Sequence, residues 1–274
     1  MELLLIRYSE IGLKSAPVRR RFENQLRSNM MSMLAQDNVE AIVTTGSGRF
    51  YIESNDLEKA ANALRRVFGI ASLSRAAVCG SSMEEICSAA AEYSKGKINK
   101  GQSFRVSARR EGTHDYTSME VAKEAGSAIF LANDDLKVDL HTPEITFFVE
   151  VRNNKAYIFS EYLQCHAGLP LGSQGKVIAE VNNERGLLSA WLMMKRGCKA
   201  IVYGEYDTSL LKRYDTSFKK LSKEEAESVK ALGFVSGASI SEVESVDVSG
   251  NLPVYFPTVG MTDEEVKQKL SEIF

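Results

Sequence analysis

The sequence predicts a chain of mixed α/β and α+β class, and three observations carry that expectation. Residues 1–78 read as strand, helix, strand, strand, helix, strand; residues 79–166 alternate helices with strands; residues 167–274 open on a strand, a short loop and a helix. Of the 274 residues, 44% are hydrophobic and 26% charged, the balance of a globular protein with buried cores, for which length alone suggests about two domains.

In chain order, Leu3 to Tyr8 is an apolar strand. Val18, Phe22, Leu26, Met30, Met33 and Leu34 recur at helical spacing and leave Arg19, Arg20 and Arg27 largely off the apolar face. Ala41 to Thr45 and Arg49 to Ser54 form a hairpin across Gly46-Ser47-Gly48. A helix from Leu57 to Phe68 stops at Gly69, and Ile70 to Val78 is a strand, so this order is that of a ferredoxin-like unit.

Ser82 with Glu85 is a capping box that opens a helix through Tyr93. Phe104, Val106 and Ala108 alternate with Arg105, Ser107 and Arg109, so one strand face packs while the other presents two guanidiniums. A polar loop from Glu111 to Tyr116 leads to a helix over about Thr117 to Leu131. Leu136 to Leu140, Ile145 to Arg152 and Ala156 to Phe159 read as strands, the last two joined at Asn153-Asn154. The glycines between Gly168 and Gly175 suggest a linker.

The last part begins with a strand from Lys176 to Val181, the loop Asn182-Asn183-Glu184-Arg185-Gly186, and a helix from Leu187 to Arg196 stopped by Gly197. A strand feeding a helix N-terminus binds phosphate when glycines let backbone N–H groups approach the anion. This loop has one glycine and places the Glu184 carboxylate beside any phosphate, with Arg185 as its only offset. A strand at Ala200 to Tyr203 and capping boxes at Ser222/Glu225 and Thr262/Glu265 complete a small open α/β sheet with helices.

Composition narrows the function classes. No run of 18 apolar residues is present, and the opening MELLLIRYSEI is too short and too charged for a leader, which points to a cytoplasmic protein without membrane partners. Cys79, Cys87, Cys165 and Cys198 have no CxxC or metal-ligand spacing and are expected as reduced thiols; three histidines indicate no His-rich metal site. Cys165 and His166 are adjacent on an extended chain, where side chains point opposite ways, so no catalytic pair is assigned. The net charge of −2 is uneven: residues 1–110 carry 17 Lys/Arg against 11 Asp/Glu, and residues 111–165 carry 4 against 10. The first 110 residues can therefore present a basic face to phosphate.

Several local motifs then occur in a specific order. They are Ile6-Arg7-Tyr8-Ser9-Glu10-Ile11 with Lys14 and Arg21-Phe22-Glu23; Val67-Phe68-Gly69-Ile70; Val138-Asp139-Leu140-His141-x-Pro143; Gly168-Leu169-Pro170-x-Gly172 before Gly175-Lys176-Val177; and Met194-Lys195-Arg196-Gly197. In this order the chain resembles the tRNA 4-thiouridine synthetases, the tRNA sulfurtransferases of the ThiI type, over nearly its whole length. The resemblance implies an N-terminal ferredoxin-like domain (1–78), a tRNA-binding THUMP domain (79–166) and an adenylating domain of the pyrophosphatase-loop type (167–274). It also implies ATP with Mg²⁺, sulfur taken from a persulfide, and a link to thiamine biosynthesis. The family loop Ser-Gly-Gly-x-Asp-Ser corresponds to Asn182 to Leu187 here, shortened and without the Gly-Gly pair, and no cysteine follows Cys198 for the family's downstream catalytic role.

The leading expectation is a tRNA-binding protein with a degenerate ATP loop and no assigned catalytic residue, which presents tRNA to a separate sulfur-transfer or modification enzyme. Its RNA groove would be lined by Arg7, Lys14, Arg20, Arg105, Arg109, Arg110, His114 and Lys123, with Tyr116 as a stacking platform. The alternative is an active ATP-dependent tRNA uridine sulfurtransferase with Lys176, Arg185 and Gly186 near the phosphates and an external sulfur donor. A third reading makes the last domain an oligomerisation module, as in a homodimer.

Overall fold

The computed structural model describes residues 1–46 and 48–273. The expected order is present as β1 (Glu2–Tyr8), α1 (Ala16–Gln36), β2 (Ala41–Gly46), β3 (Arg49–Ser54), α2 (Leu57–Leu64) and β4 (Ile70–Gly80). β2 and β3 pair antiparallel from Ala41↔Ser54 to Gly46↔Arg49; Ser47, in the turn expected between them, lies outside the described residues. α2 stops at Leu64 rather than Phe68, because turns at Arg66 and Val67 redirect the chain and bury Val67 and Phe68 as core.

The chain continues through α3 (Met83–Ser94), β5 (Ser103–Glu111), α4 (Ser118–Ala132), β6 (Lys137–Val138), β7 (Ile145–Arg152), β8 (Lys155–Phe159) and β9 (Leu163–Gln164). The capping box is formed: the Glu85 N–H donates to Ser82 Oγ and the Ser82 N–H to the Glu85 carboxylate. The strand expected at Leu136 to Leu140 shrinks to two residues, because the Asp139 carboxylate accepts the N–H groups of His141 and Thr142 at 2.9 and 3.0 Å and turns the chain.

Nine strands among the described residues share one sheet in the order β2-β3-β1-β4-β8-β7-β5-β6, with β9 against β4, so residue 78 lies inside a strand of a continuous sheet. Contacts divide the chain into two compact units. One holds Met1–Arg7, Ala41–Leu57 and Ser72–Leu163; the other holds Tyr8–Glu40, Glu58–Ala71 and everything from Gln164 onward.

In the first unit α3 and α4 cover one sheet face, where Ile86, Ala90, Val121, Ala125 and Ile129 meet Phe104, Phe147, Val149 and Ile158. The other face gathers Leu3, Leu5, Ala76, Tyr157 and Phe159. Tyr51 of β3 stacks on Tyr157 of β8 at 5.0 Å although β1 and β4 lie between their strands. In a flat sheet that separation would be about 14 Å, so this sheet is strongly curled.

Glu150 stands inside the curl. Its Oε1 accepts from Arg7 Nε and Nη2 at 3.0 and 2.9 Å, and its Oε2 faces Arg152 Nε at 3.1 Å and Arg49 Nε at 3.5 Å. Glu150 is 2% exposed and Arg7 8% exposed. Burial alone would raise the Glu150 carboxyl, but the charges of Arg7, Arg49 and Arg152 outweigh it and hold the group below its ordinary value.

The second unit contains β10 (Lys176–Glu180), α5 (Glu184–Lys195), β11 (Lys199–Tyr203), α6 (Ser209–Lys212), α7 (Lys223–Glu227), β12 (Phe234–Val235), β13 (Val254–Tyr255) and α8 (Asp263–Ser271). Its strands form a parallel sheet in the order β11-β10-β12-β13, and both expected capping boxes are in place at Ser222 and Thr262. Residues 168–175 are a packed strap and not a linker: the Leu169 N–H donates to Lys195 O at 3.0 Å, the Gln174 N–H to Gly197 O at 3.1 Å, and Leu171 is buried. Gly168, at φ +78, passes so close to Lys195 that a Cβ there would lie 2.2 Å from its carbonyl oxygen.

An aromatic box sits in this unit's core. His166 lies among Phe68, Trp191 and Tyr214 at ring separations of 6.3, 5.0 and 5.4 Å, with its Nε2 2.9 Å from the Tyr214 hydroxyl. Burial, reinforced by Lys195, Arg65 and Lys269, holds its imidazole down to about 4, while burial pushes the Cys165 thiol up to about 12. Neither group is poised as base or nucleophile at neutral pH.

Two outcomes follow from these cores. Glu150→Ala leaves buried arginines without their anion and is expected to cost about 3–5 kcal/mol, read as a lowered urea midpoint. His166 ionises near 6.5 when unfolded and near 4 when folded, so its contribution to stability is complete above about pH 6.5 and lost as pH falls toward 4. Thermal melts across that window are expected to show a fall that His166→Gln flattens; an equal slope in both proteins would place the acid sensitivity elsewhere.

Candidate functional site

The basic residues proposed for RNA divide into those that face solvent and one that does not. Arg7 points inward: besides Glu150 it donates from Nη1 to Ser74 Oγ at 3.0 Å, and its guanidinium lies 4.6 and 4.4 Å from the Phe159 and Tyr162 rings. The strand's alternation places Arg7 with Leu3 and Leu5 on the curled face, where a phosphate cannot reach it; Arg7 is thus a structural ion-pair residue and not a groove residue.

Arg109 and Arg110 are exposed near the end of β5, and Arg105 is half-buried. Arg105 donates from Nε to Thr146 Oγ1 at 3.2 Å and from Nη1 to Leu140 O at 3.1 Å, which fixes its planar group along the strand edge. Arg110 donates from Nη1 to Gly112 O at 3.0 Å and stands 3.4 Å from His114 Nδ1. His114 stacks on Tyr116 at 5.2 Å and 27°, and the Tyr116 hydroxyl donates to Ser81 O, so one face of the expected platform is already covered. Lys123 projects from α4, with an exposed side chain 3.3 Å from Glu124. Lys14 and Arg20 are exposed and belong to the other unit.

A groove of about 820 Å³ runs beside Arg105 and Lys123, floored by Phe104, Val106, Ala122, Gly126 and Phe130. Met119 at 82%, Leu131 at 84% and Leu140 at 65% exposure rim it. α4 carries a second apolar stripe, Met119, Ala122, Gly126 and Phe130, beside the buried stripe of Val121, Ala125 and Ile129. That doubled period is visible in the sequence and is the signal that would have marked this surface. Arg49 and Arg152, which meet on the curled face, come from strands distant in the chain, and no local pattern joins them.

The nucleotide residues are dispersed. Lys176 begins β10, at the far end of the strand from the α5 N-terminus, about 16 Å away at the usual strand rise. Arg185 turns toward α8, donating from Nη1 to Thr258 O and Met261 O, both at 2.8 Å, and from Nη2 to Asp263 Oδ1 at 2.6 Å. The Gly186 N–H donates to Asn183 Oδ1 at 2.8 Å as an N-cap. Gly237 packs directly on this turn, where a Cβ would come within 2.5 Å of Gly186 N. The Gly186 N–H is thus engaged within the chain, while Asn183, Gly186 and Gly237 also line an open crevice.

A crevice of about 800 Å³ remains outside the carboxyl ends of β10, β11 and β12, the usual ligand position in a parallel sheet. Its charged lining is Glu180, Glu227, Glu242 and Asp247 against Lys223. A carboxylate-rich wall and a helix N-terminus whose Gly186 N–H is already capped match a triphosphate poorly.

Comparison with known proteins agrees with this architecture. Residues 3–74 match the ThiI ferredoxin-like domain and residues 80–161 match the THUMP domain. The probable tRNA sulfurtransferase of Methanobrevibacter smithii is 38% identical over 208 residues, which are 73% of this chain and 52% of that protein. The probable tRNA sulfurtransferase of Methanocaldococcus jannaschii is 36% identical over 210 residues, 73% of this chain and 54% of that protein. This chain thus spans about half the length of these curated relatives. Among solved structures, PH1313 of Pyrococcus horikoshii is 29% identical with a TM-score of 0.85, each chain covering 99% of the other. A 4-thiouridine synthetase solved with RNA and ATP has a TM-score of 0.83 at 22% identity, covering 100% of this chain and 85% of that one, and shares the fold. By its ferredoxin-like and THUMP domains the chain belongs to the THUMP family that includes the tRNA sulfurtransferases. Among the described residues no helix is long and apolar enough to cross a membrane.

Proposed function

We propose that this chain is a tRNA-binding protein, divided near residues 78 and 166, whose third part does not adenylate RNA. The observation that carries the reading is the state of the α5 N-terminus. Its Gly186 N–H is capped by Asn183 and Gly237 packs against the same turn, in a chain whose THUMP domain carries exposed arginines on β5. A helix terminus whose Gly186 N–H is already taken by its own cap has one donor fewer for a pyrophosphate. Affinity for tRNA then comes from phosphate contacts by Arg109, Arg110, Arg105 and Lys123 on one unit and by Lys14 and Arg20 on the other. In this reading the protein works in the cytoplasm and presents tRNA to a separate enzyme that supplies activation and sulfur.

One feature favours the second reading, an active sulfurtransferase with a divergent loop. The crevice at the carboxyl ends of the parallel strands is open and large enough for a nucleotide. Its acidic lining would need Mg²⁺ to accept phosphates, and the persulfide carrier would have to come from a partner.

Pyrophosphate release from ATP with Mg²⁺, measured with and without tRNA while a gel shift follows binding, separates the two. Bound tRNA without release is expected; release that depends on tRNA would establish an adenylating enzyme. Replacing Arg105 and Arg109 by Glu is expected to weaken tRNA binding at least tenfold at moderate salt and to flatten its salt dependence.

A further inference from the structure

We propose that a pocket at the C-terminal end of α5 holds one unstacked nucleotide of the bound RNA, its base against Tyr255 and Phe256 and its phosphate against Lys195 and Arg196. The inference rests on the RNA-binding reading above and extends it to the second unit. The pocket measures about 470 Å³, and its walls are Leu192, Met193, Lys195 and Arg196 on one side and Tyr255, Phe256 and Pro257 on the other. That volume lies within the range of about 300–1,000 Å³ usual for small-ligand sites.

Both walls are held in place before any ligand arrives. The strap places its Leu169 N–H on Lys195 O at 3.0 Å, and the Ser236 N–H donates to Tyr255 O at 2.9 Å. Tyr255 is exposed, at 36%, and Phe256 is half-buried. An aromatic surface open to solvent beside two cations is the combination that stacks a base and neutralises its phosphate.

The charge is only partly balanced by the protein. Among the described residues neither Lys195 nor Arg196 forms an ion pair, and Glu10 is the one carboxylate in the lining. Lys269, nearby, is paired with Glu272 at 2.8 Å. Burial and then the like charge of Lys269, outweighing the opposing pull of the Glu10 carboxylate, lower the Lys195 ammonium from its ordinary value, a tension that a phosphate would relieve.

Lys195 also supplies the readout. Its Nζ lies 5.8 Å from the ring centre of Trp191, the chain's single tryptophan, so a phosphate that draws the ammonium away changes the environment of that indole. Trp191 fluorescence therefore reports this pocket, while a gel shift reports tRNA binding by the whole chain.

The test titrates the full chain with a short single-stranded RNA oligonucleotide and, separately, with a tRNA transcript. Wild type is expected to show a saturable Trp191 change with both. The Tyr255→Ala/Arg196→Gln variant, checked for an unchanged melting curve, is expected to lose that change and bind the oligonucleotide about tenfold more weakly, the scale of one base stack. The Arg105→Glu/Arg109→Glu variant is expected to weaken the tRNA gel shift at least tenfold yet keep the Trp191 response to the oligonucleotide. An unaltered response and affinity in the Tyr255→Ala/Arg196→Gln variant overturns the pocket, as does tRNA binding by wild type with no Trp191 change. Failure of wild type to bind tRNA, with the oligonucleotide response intact, overturns the preceding reading and leaves the pocket standing.

Discussion

The carboxylate of Glu150 is the contact on which the first unit depends. An ion in the interior is tolerated only when its partners recover what water would have supplied, and here Arg7, Arg49 and Arg152 do so from β1, β3 and β7. β1 and β3 are neighbours, but β4 and β8 lie between them and β7 in the sheet, so the cluster can form only if the sheet curls. The curl brings Tyr51 onto Tyr157 and encloses Leu3, Leu5 and Phe159. Charge and apolar burial specify the same geometry. The face covered by α3 and α4 is turned away from it, which leaves the exposed arginines of β5 and the groove beside α4 at the sheet's other edge.

In the proposed reading the second unit keeps a ligand-binding frame as scaffold. A parallel strand running into a helix still places a crevice outside its carboxyl end. Two of the donors at that end are engaged within the chain: Asn183 caps the Gly186 N–H, and Arg185 ties three points around α8. Each is a sensible stabilising contact for a helix end. Resemblance of fold and resemblance of site must therefore be argued separately.

RNA recognition, in the reading favoured here, is a matter of surfaces more than of a catalytic centre. Exposed arginines supply affinity without sequence information, and aromatic faces beside cations supply contacts to bases freed from a helix. The chain has both kinds of surface, on β5 with α4 and at the end of α5. The buried His166 among its aromatic rings does not take part; its low affinity for a proton is a consequence of packing.

The sequence by itself determined the ferredoxin-like order of elements, the capping boxes at Ser82, Ser222 and Thr262, the two faces of β5 and the strand, loop and helix around Gly186. Each depends on residues within one element or one turn, where period and capping chemistry act locally. Only the tertiary structure decided that Arg7 faces inward, that residues 168–175 are a packed strap, that Lys176 stands at the wrong end of its strand for a phosphate, and that Arg185 belongs to α8. An arginine on a strand has the same local signature whether its partner is water, a phosphate or a carboxylate more than a hundred residues away. Which partner it meets depends on how the sheet curls and where distant segments pack, and no local period records that.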